Sequence, residues 1–175
     1  MSRIKLPDVE SMNEGQEEQY LRFPSNLIRG MLVTTCSAKP YISLGSSFPA
    51  GKLPDKDREL VILRVGALSS SAYERMQHFP LALKAGWNED DIVKIEKGEL
   101  ASEREKAILD FVDECVRDVR VSSGTFNRVR QYYDDTQMAE LTLMIGHYMM
   151  TARFLETLEI DLDGEATSWD AVSPE

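Results

Sequence analysis

Two carboxylates and a histidine fall within twenty residues at spacings that suit proton transfer. In "SSSAYERMQHFP" (69–80), Glu74 and His78 are four apart, so on a helix they share one face. Glu59 lies in the first turn of the preceding predicted helix. A histidine titrates near neutrality, and a carboxylate bonded to it orients the ring and raises its basicity. A second carboxylate can pass protons onward, which completes a set for general acid–base work. Ser71 has no evident base beside it, so the stretch offers no strong nucleophile. The helix start at 70–73 presents free N–H groups and a positive dipole end, a natural seat for a substrate carboxylate. The candidate catalytic residues are His78, Glu74 and Glu59. The candidate substrate contacts are Ser71, Tyr73 and, from the last predicted helix, His147.

Each of these residues also has a purely structural reading. Ser71 and Glu74 fit the S-x-x-E capping box. His78 lies two residues before Pro80 and fits a packed, hydrogen-bonded core histidine. Glu59 fits a first-turn acid that complements the helix dipole. Tyr73 and His147 fit core positions. Whether Glu59 reaches the Glu74/His78 face depends on how the two helices pack, which the residue pattern leaves open.

The elements that must position these residues all read as helices. Residues 25–36 and 40–48 predict two short helices, and 49–55 a connector rich in turn formers. From Asp55 the signal strengthens: Leu60 to Leu68 is apolar except for Arg64 and Gly66, behind a charged lead-in with acids in the first turn. Such a helix is buried on most sides. The next opens at the serine cluster and closes at Gly86, with a bend predicted near 76–80 because Pro80 removes one backbone bond. Asn88 and Gly98 bracket a short helix. Ser102 and Glu105 are spaced as a capping box ahead of Ile108, Val112, Cys115, Val116 and Val119. A short helix over 122–133 and a long apolar one over 134–160 complete the set. The expected organisation is an N-terminal arm over 1–24, thought mobile, an all-α helical domain over 25–162 and a loose tail over 163–175.

Composition narrows the partners. The 175 residues carry a net charge of −10, which argues against nucleic acid or an anionic membrane, since phosphate contact relies on clustered Lys and Arg. The two cysteines, Cys36 and Cys115, form no C-x-x-C pair and no metal-ligand cluster. No run approaches the roughly 18 apolar residues of a membrane span, and no secretory h-region is visible, so a soluble cytoplasmic protein is expected. The helices over 58–68 and 137–158 are too apolar for a wet face in so small a domain, which predicts a homo-oligomer.

Residues 53–92, "LPDKDRELVILRVGALSSSAYERMQHFPLALKAGWNEDDI", resemble the carboxymuconolactone decarboxylase / alkylhydroperoxidase-D (AhpD-like) family. The order is E-L-V-x-L-R-V, a small-residue helix start, Y-E-x-x-x-H, then L-A-x-x-A-G and an acidic helix start. The resemblance implies an AhpD-like helical bundle assembled as a hexamer or trimer. In the peroxidase branch, a Glu is followed twelve residues on by C-x-x-C, then by His four beyond the second cysteine. That spacing lands on Glu59, Ser71, Glu74 and His78, so both thiols are replaced. Thiol–disulfide exchange needs a thiolate, and the peroxidase activity does not carry over. The decarboxylase branch, with its Glu-x-x-x-His pair, fits better. It implies a cofactor-independent lyase acting on a small carboxylated organic acid or lactone, with neither cofactor nor metal. On that analogy His78 would be the acid, Glu74 its orienter and Glu59 the relay. The alternatives are an antioxidant protein of the peroxidase type and a non-catalytic ligand-binding protein of the same fold.

Overall fold

Every residue from Glu59 to Gly66 is buried, so their helix has no wet face and must be surrounded. In the computed structural model, which describes residues 2–167, this helix is the axis of a bundle. The helices in chain order are α1 (Glu14–Arg22), α2 (Asn26–Met31), α3 (Ala38–Ser47), α4 (Asp55–Leu68), α5 (Ala72–Lys84), α6 (Glu89–Lys97), α7 (Glu103–Asp118), α8 (Ser123–Arg130) and α9 (Asp135–Leu158). Single 3₁₀ turns lie at Val9–Ser11 and Phe48–Ala50. The described residues contain no strand, and no helix among them is long and apolar enough to cross a membrane. The all-α expectation holds. α4 packs against α5, α6, α7 and α9. Burying Leu60, Val61, Ile62, Leu63 and Val65 contributes about 1.5–3 kcal/mol per side chain.

Two ion pairs, each with its α4 partner buried, fix α4 to its neighbours. Arg104 of α7 grips Asp57 with two bonds of 2.8 and 2.5 Å, and the Tyr133 hydroxyl donates to the same carboxylate at 2.7 Å. Arg64 makes two 2.6 Å bonds to Asp113 of α7 and a third to the Glu96 carbonyl at the end of α6. Gly98, which closes α6 at φ +77°, is needed twice over: a Cβ there would lie 2.9 Å from the Arg64 guanidinium.

The α4–α5 hairpin is closed by Ser69–Ser71. The Ser71 N–H donates to the Gly66 carbonyl and the Ser70 N–H to that of Ala67, with Ser70 at φ +55°. This is a Schellman closure with serine at the position glycine usually takes. Ser71 thereby ends α4 and caps α5. α5 runs on through Pro80, which sits on its exposed side.

Residues 2–24, expected as a mobile arm, instead form α1 and bond to the end of α9. The Arg3 N–H donates to the Leu158 carbonyl at 2.8 Å, and the Ser2 N–H to Asp161 at 3.0 Å. Phe23 packs with Ile28, Ile42, Tyr73 and Leu155 in a second core, whose apolar weight the polar start of the chain conceals. The expected loose tail is also anchored as far as it is described. Asp163 accepts from the Tyr73 hydroxyl, the Gln77 amide and the Asn26 N–H, and Thr167 donates to Gln77. Residues 168–175 of that tail lie outside the described residues. The Ser102 side chain makes no capping bond, so the box expected there does not form.

Arg104→Leu would leave Asp57 buried with its charge uncompensated. It is expected to cost about 3 kcal/mol by chemical denaturation, whereas loss of the exposed Arg3–Glu159 pair should cost under about 1 kcal/mol.

Candidate active site

The hairpin answers the question the spacing left open. Glu59 on α4 meets His78 on α5, with Oε2 2.9 Å from Nδ1. Glu74, one turn before His78, places its carboxylate 3.7 Å from Nε2. All three side chains are buried. The imidazole thus lies between two carboxylates, hydrogen-bonded to one and close to the other. The capping reading is half right: Ser71 Oγ accepts from the Glu74 N–H, but the Glu74 side chain turns inward to His78. Gly66 permits this, since a Cβ there would stand 3.2 Å from the Cβ of Glu74.

Burial alone would pull His78 down. The Glu59 charge and hydrogen bond, with the charge of Glu74, outweigh it and hold the imidazole above its ordinary value. Burial pushes the Glu74 carboxyl up to about 7, with His78 opposing and Glu59 and Glu156 adding to the rise. The cluster therefore holds protons near neutrality, as an acid catalyst must.

His78 and Glu59 line a cavity of about 450 Å³, together with Phe48, Arg58, Lys84 and Tyr148. That volume suits a small organic molecule. Arg58 is steadied by the Leu53 carbonyl at 3.1 Å and Asp55 at 2.8 Å. The Tyr148 ring meets His78 edge-on, 5.1 Å between centroids.

The three expected substrate contacts lie elsewhere, and none lines this cavity. Ser71 is buried as the α5 cap, so the anticipated carboxylate seat at that helix start is closed. The Tyr73 hydroxyl donates to Asp163 and accepts from the Leu27 N–H, which makes it an anchor for the ends of the chain. His147 faces a separate groove of about 800 Å³ that also involves Phe126, Met138, Leu143 and Met150. Its ring stacks on Tyr41 at 4.9 Å, its Nδ1 has no hydrogen bond, and burial and then the His78 charge push it down to about 4. Sequence reasoning missed Arg58, Lys84 and Tyr148. Arg58 could have been noticed beside Glu59; Lys84 reads as an ordinary last-turn cation and Tyr148 as a core aromatic.

The chain is a helical bundle with a buried carboxylate–histidine–carboxylate cluster at the wall of a cavity, and one family model matches the part that carries the cluster. Residues 44–108, which carry all three cluster residues, match the model of the Carboxymuconolactone decarboxylase family, so the resemblance read from residues 53–92 holds. The comparison with curated proteins found no match. Among solved structures, the fold is similar to an AhpD-core, peroxidase-related protein from Ralstonia eutropha JMP134, with TM-score 0.81, 15% identity and 99% and 98% of the two chains covered. It is also similar to a peroxidase-related protein from Silicibacter sp. TM1040, with TM-score 0.78, 11% identity and coverage of 93% and 92%. A third is the debrominase Bmp8 in complex with 2,3,4-tribromopyrrole, with TM-score 0.71, 17% identity and coverage of 85% and 82%. At these identities the likeness is one of fold.

The raised carboxyl gives a signed pH dependence. Between its ordinary 4.5 and about 7, Glu74 keeps its proton in the folded chain and loses it in the unfolded one, so stability falls as pH rises through this window. His78 acts in the same direction above 6.5. Relative to Glu74→Gln, the wild type should lose up to about 1.4 kcal/mol per pH unit across the window, measured by urea denaturation. Parallel profiles would show that Glu74 titrates normally.

Proposed function

We propose that this chain is a cofactor-independent acid–base enzyme, a decarboxylase-like lyase acting on a small carboxylated organic acid or lactone. The observation that carries this reading is the His78 imidazole held between Glu59 and Glu74 at the wall of a cavity that also presents Arg58 and Lys84. The Arg58 guanidinium suits a substrate carboxylate. When CO₂ leaves a carbon conjugated to a carbonyl, its bonding pair moves into the carbonyl and an enolate forms. His78 gives its Nε2 proton to that carbon and the carbonyl re-forms. Glu59 stabilises the imidazolium before transfer, and reprotonation from solvent restores it. Thiol peroxidase chemistry is disfavoured because positions 71 and 74 hold Ser and Glu, while neither Cys36 nor Cys115 lines the cavity.

CO₂ release from carboxylated unsaturated lactones and β-keto acids tests the reading. His78→Gln should lower kcat by about 10²–10⁴-fold with little change in KM, because the proton is delivered only in the transition state. Glu74→Gln should do less, since the imidazole remains. Wild-type turnover in His78→Gln would overturn the assignment.

We also propose a homo-oligomer, a hexamer of three dimers or a trimer. Phe126, Leu143 and Met150 are exposed along the apolar groove on the outer side of α9, which favours cover by another copy. Light scattering should give a mass several times 19.8 kDa; a monomer at micromolar concentration would refute this.

A further inference from the structure

Four tyrosines in the described structure are buried: Tyr41, Tyr73, Tyr133 and Tyr148. A buried phenol ordinarily finds a hydrogen-bond partner, because leaving it without one forfeits its hydration. Three of the four obey. Tyr41 pairs with the Thr151 hydroxyl at 2.9 Å, Tyr133 donates to Asp57, and Tyr73 is held by Asp163 and Leu27. Among the described residues, no hydrogen bond holds the Tyr148 hydroxyl. It is not sealed in the core either: the buried side-chain atoms shut away without a partner are Gln19 Oε1, Arg22 Nη1 and His147 Nδ1. The Tyr148 hydroxyl therefore reaches open space, and the space that Tyr148 lines is the His78 cavity.

We propose that Tyr148 is the oxyanion-binding residue of this site, its hydroxyl donating to the substrate oxygen that becomes negative while His78 serves the adjacent carbon. This rests on the acid–base reading above and extends it. A developing enolate oxygen in this cavity would face the Glu59 carboxylate on the same wall, which repels it. An uncharged donor on the wall relieves that repulsion without adding another charge to be paired. Tyr148 remains a donor under these conditions, because burial and the nearby carboxylates push its phenol far above the ordinary range. No proton need leave the tyrosine: the pair from the broken C–C bond rests on the oxygen under its hydrogen bond, then returns as the carbon takes the His78 proton. Its neighbour His147 faces the groove on the other side of α9, as a rotation of about 100° between successive helical residues requires.

The assignment orients the substrate of the acid–base reading, with its carboxylate toward Arg58 and its carbonyl oxygen toward Tyr148.

A phenolate carrying a carboxylate imitates such an enolate. The probes are 4-hydroxy-3-nitrobenzoate, whose ionised oxygen is coloured near pH 8, and 3-nitrobenzoate, which lacks that oxygen. Wild type should bind the hydroxylated probe more tightly. Tyr148→Phe, checked for folding by its helical circular dichroism, should weaken it about 10–100-fold and leave 3-nitrobenzoate within about 3-fold. If that variant does not fold, 3-fluorotyrosine at position 148 keeps the shape with a more acidic hydroxyl and should tighten the phenolate; unchanged affinity overturns the proposal. Equal phenolate affinity in wild type and Tyr148→Phe overturns the Tyr148 assignment alone, while the turnover of His78→Gln judges the acid–base reading separately. Failure of wild type to bind either probe overturns both.

Discussion

The hydrogen bond between Glu59 and His78 spans two helices, and much of the bundle serves to keep those helices in register. At 2.9 Å it tolerates little sliding of α5 against α4. The Schellman closure at Ser69–Ser71 fixes where α5 starts, and Gly66 lets the two backbones approach until Glu74 nearly touches α4. Below Glu59, Asp57 is locked to Arg104 and Tyr133; above it, Arg64 is locked to Asp113 and Glu96. Pairs of this kind, buried on the α4 side, contribute little net stability compared with apolar packing, but they penalise any other register heavily, since a shift would strand a charge. Their placement on either side of Glu59 along one helix is what precision at the site requires.

The electrostatics follow from that geometry. Two carboxylates and one imidazole in a dry space cannot all stay deprotonated, so the cluster retains protons that the same residues in water would lose. Burial usually neutralises a histidine, as it does His147 on α9. His78 escapes because its carboxylates lie within a few ångström, whereas the His147 ring packs against those of Tyr41 and Phe48. Two buried histidines of one chain are thus driven in opposite directions by their neighbours.

The fold is shared with proteins described as peroxidase-related and with a debrominase, at identities of 11–17%. A shared fold does not fix an activity, which depends on the side chains at the site. Here the positions spaced as a thiol pair hold Ser71, which has become wholly structural, and Glu74, which joins the proton-holding cluster.

The amino-acid pattern alone determined the helices from α2 onward and one half of the site. The run from Leu60 to Leu68, apolar but for Arg64 and Gly66, behind its charged lead-in read as a buried helix, and Glu74 with His78 share a face because 3.6 residues make a turn. Local chemistry also marked the Asn88 cap and the Gly98 stop. What it could not fix was anything that depends on distance across the bundle. Glu59 reaching His78, Arg58 and Lys84 flanking the cavity, and Tyr148 rather than His147 facing it are set by how α4, α5 and α9 pack, to within an ångström or a fraction of a turn. The ends of the chain misled for the same reason. Residues 2–24 and 163–167 look polar and loose by composition, yet they are tied down by partners more than a hundred residues away: Arg3 to Leu158, Asn26 to Asp163, Thr167 to Pro24. Periodicity is a local property and the sequence carries it openly; mutual approach of distant segments exists only once the chain has closed on itself.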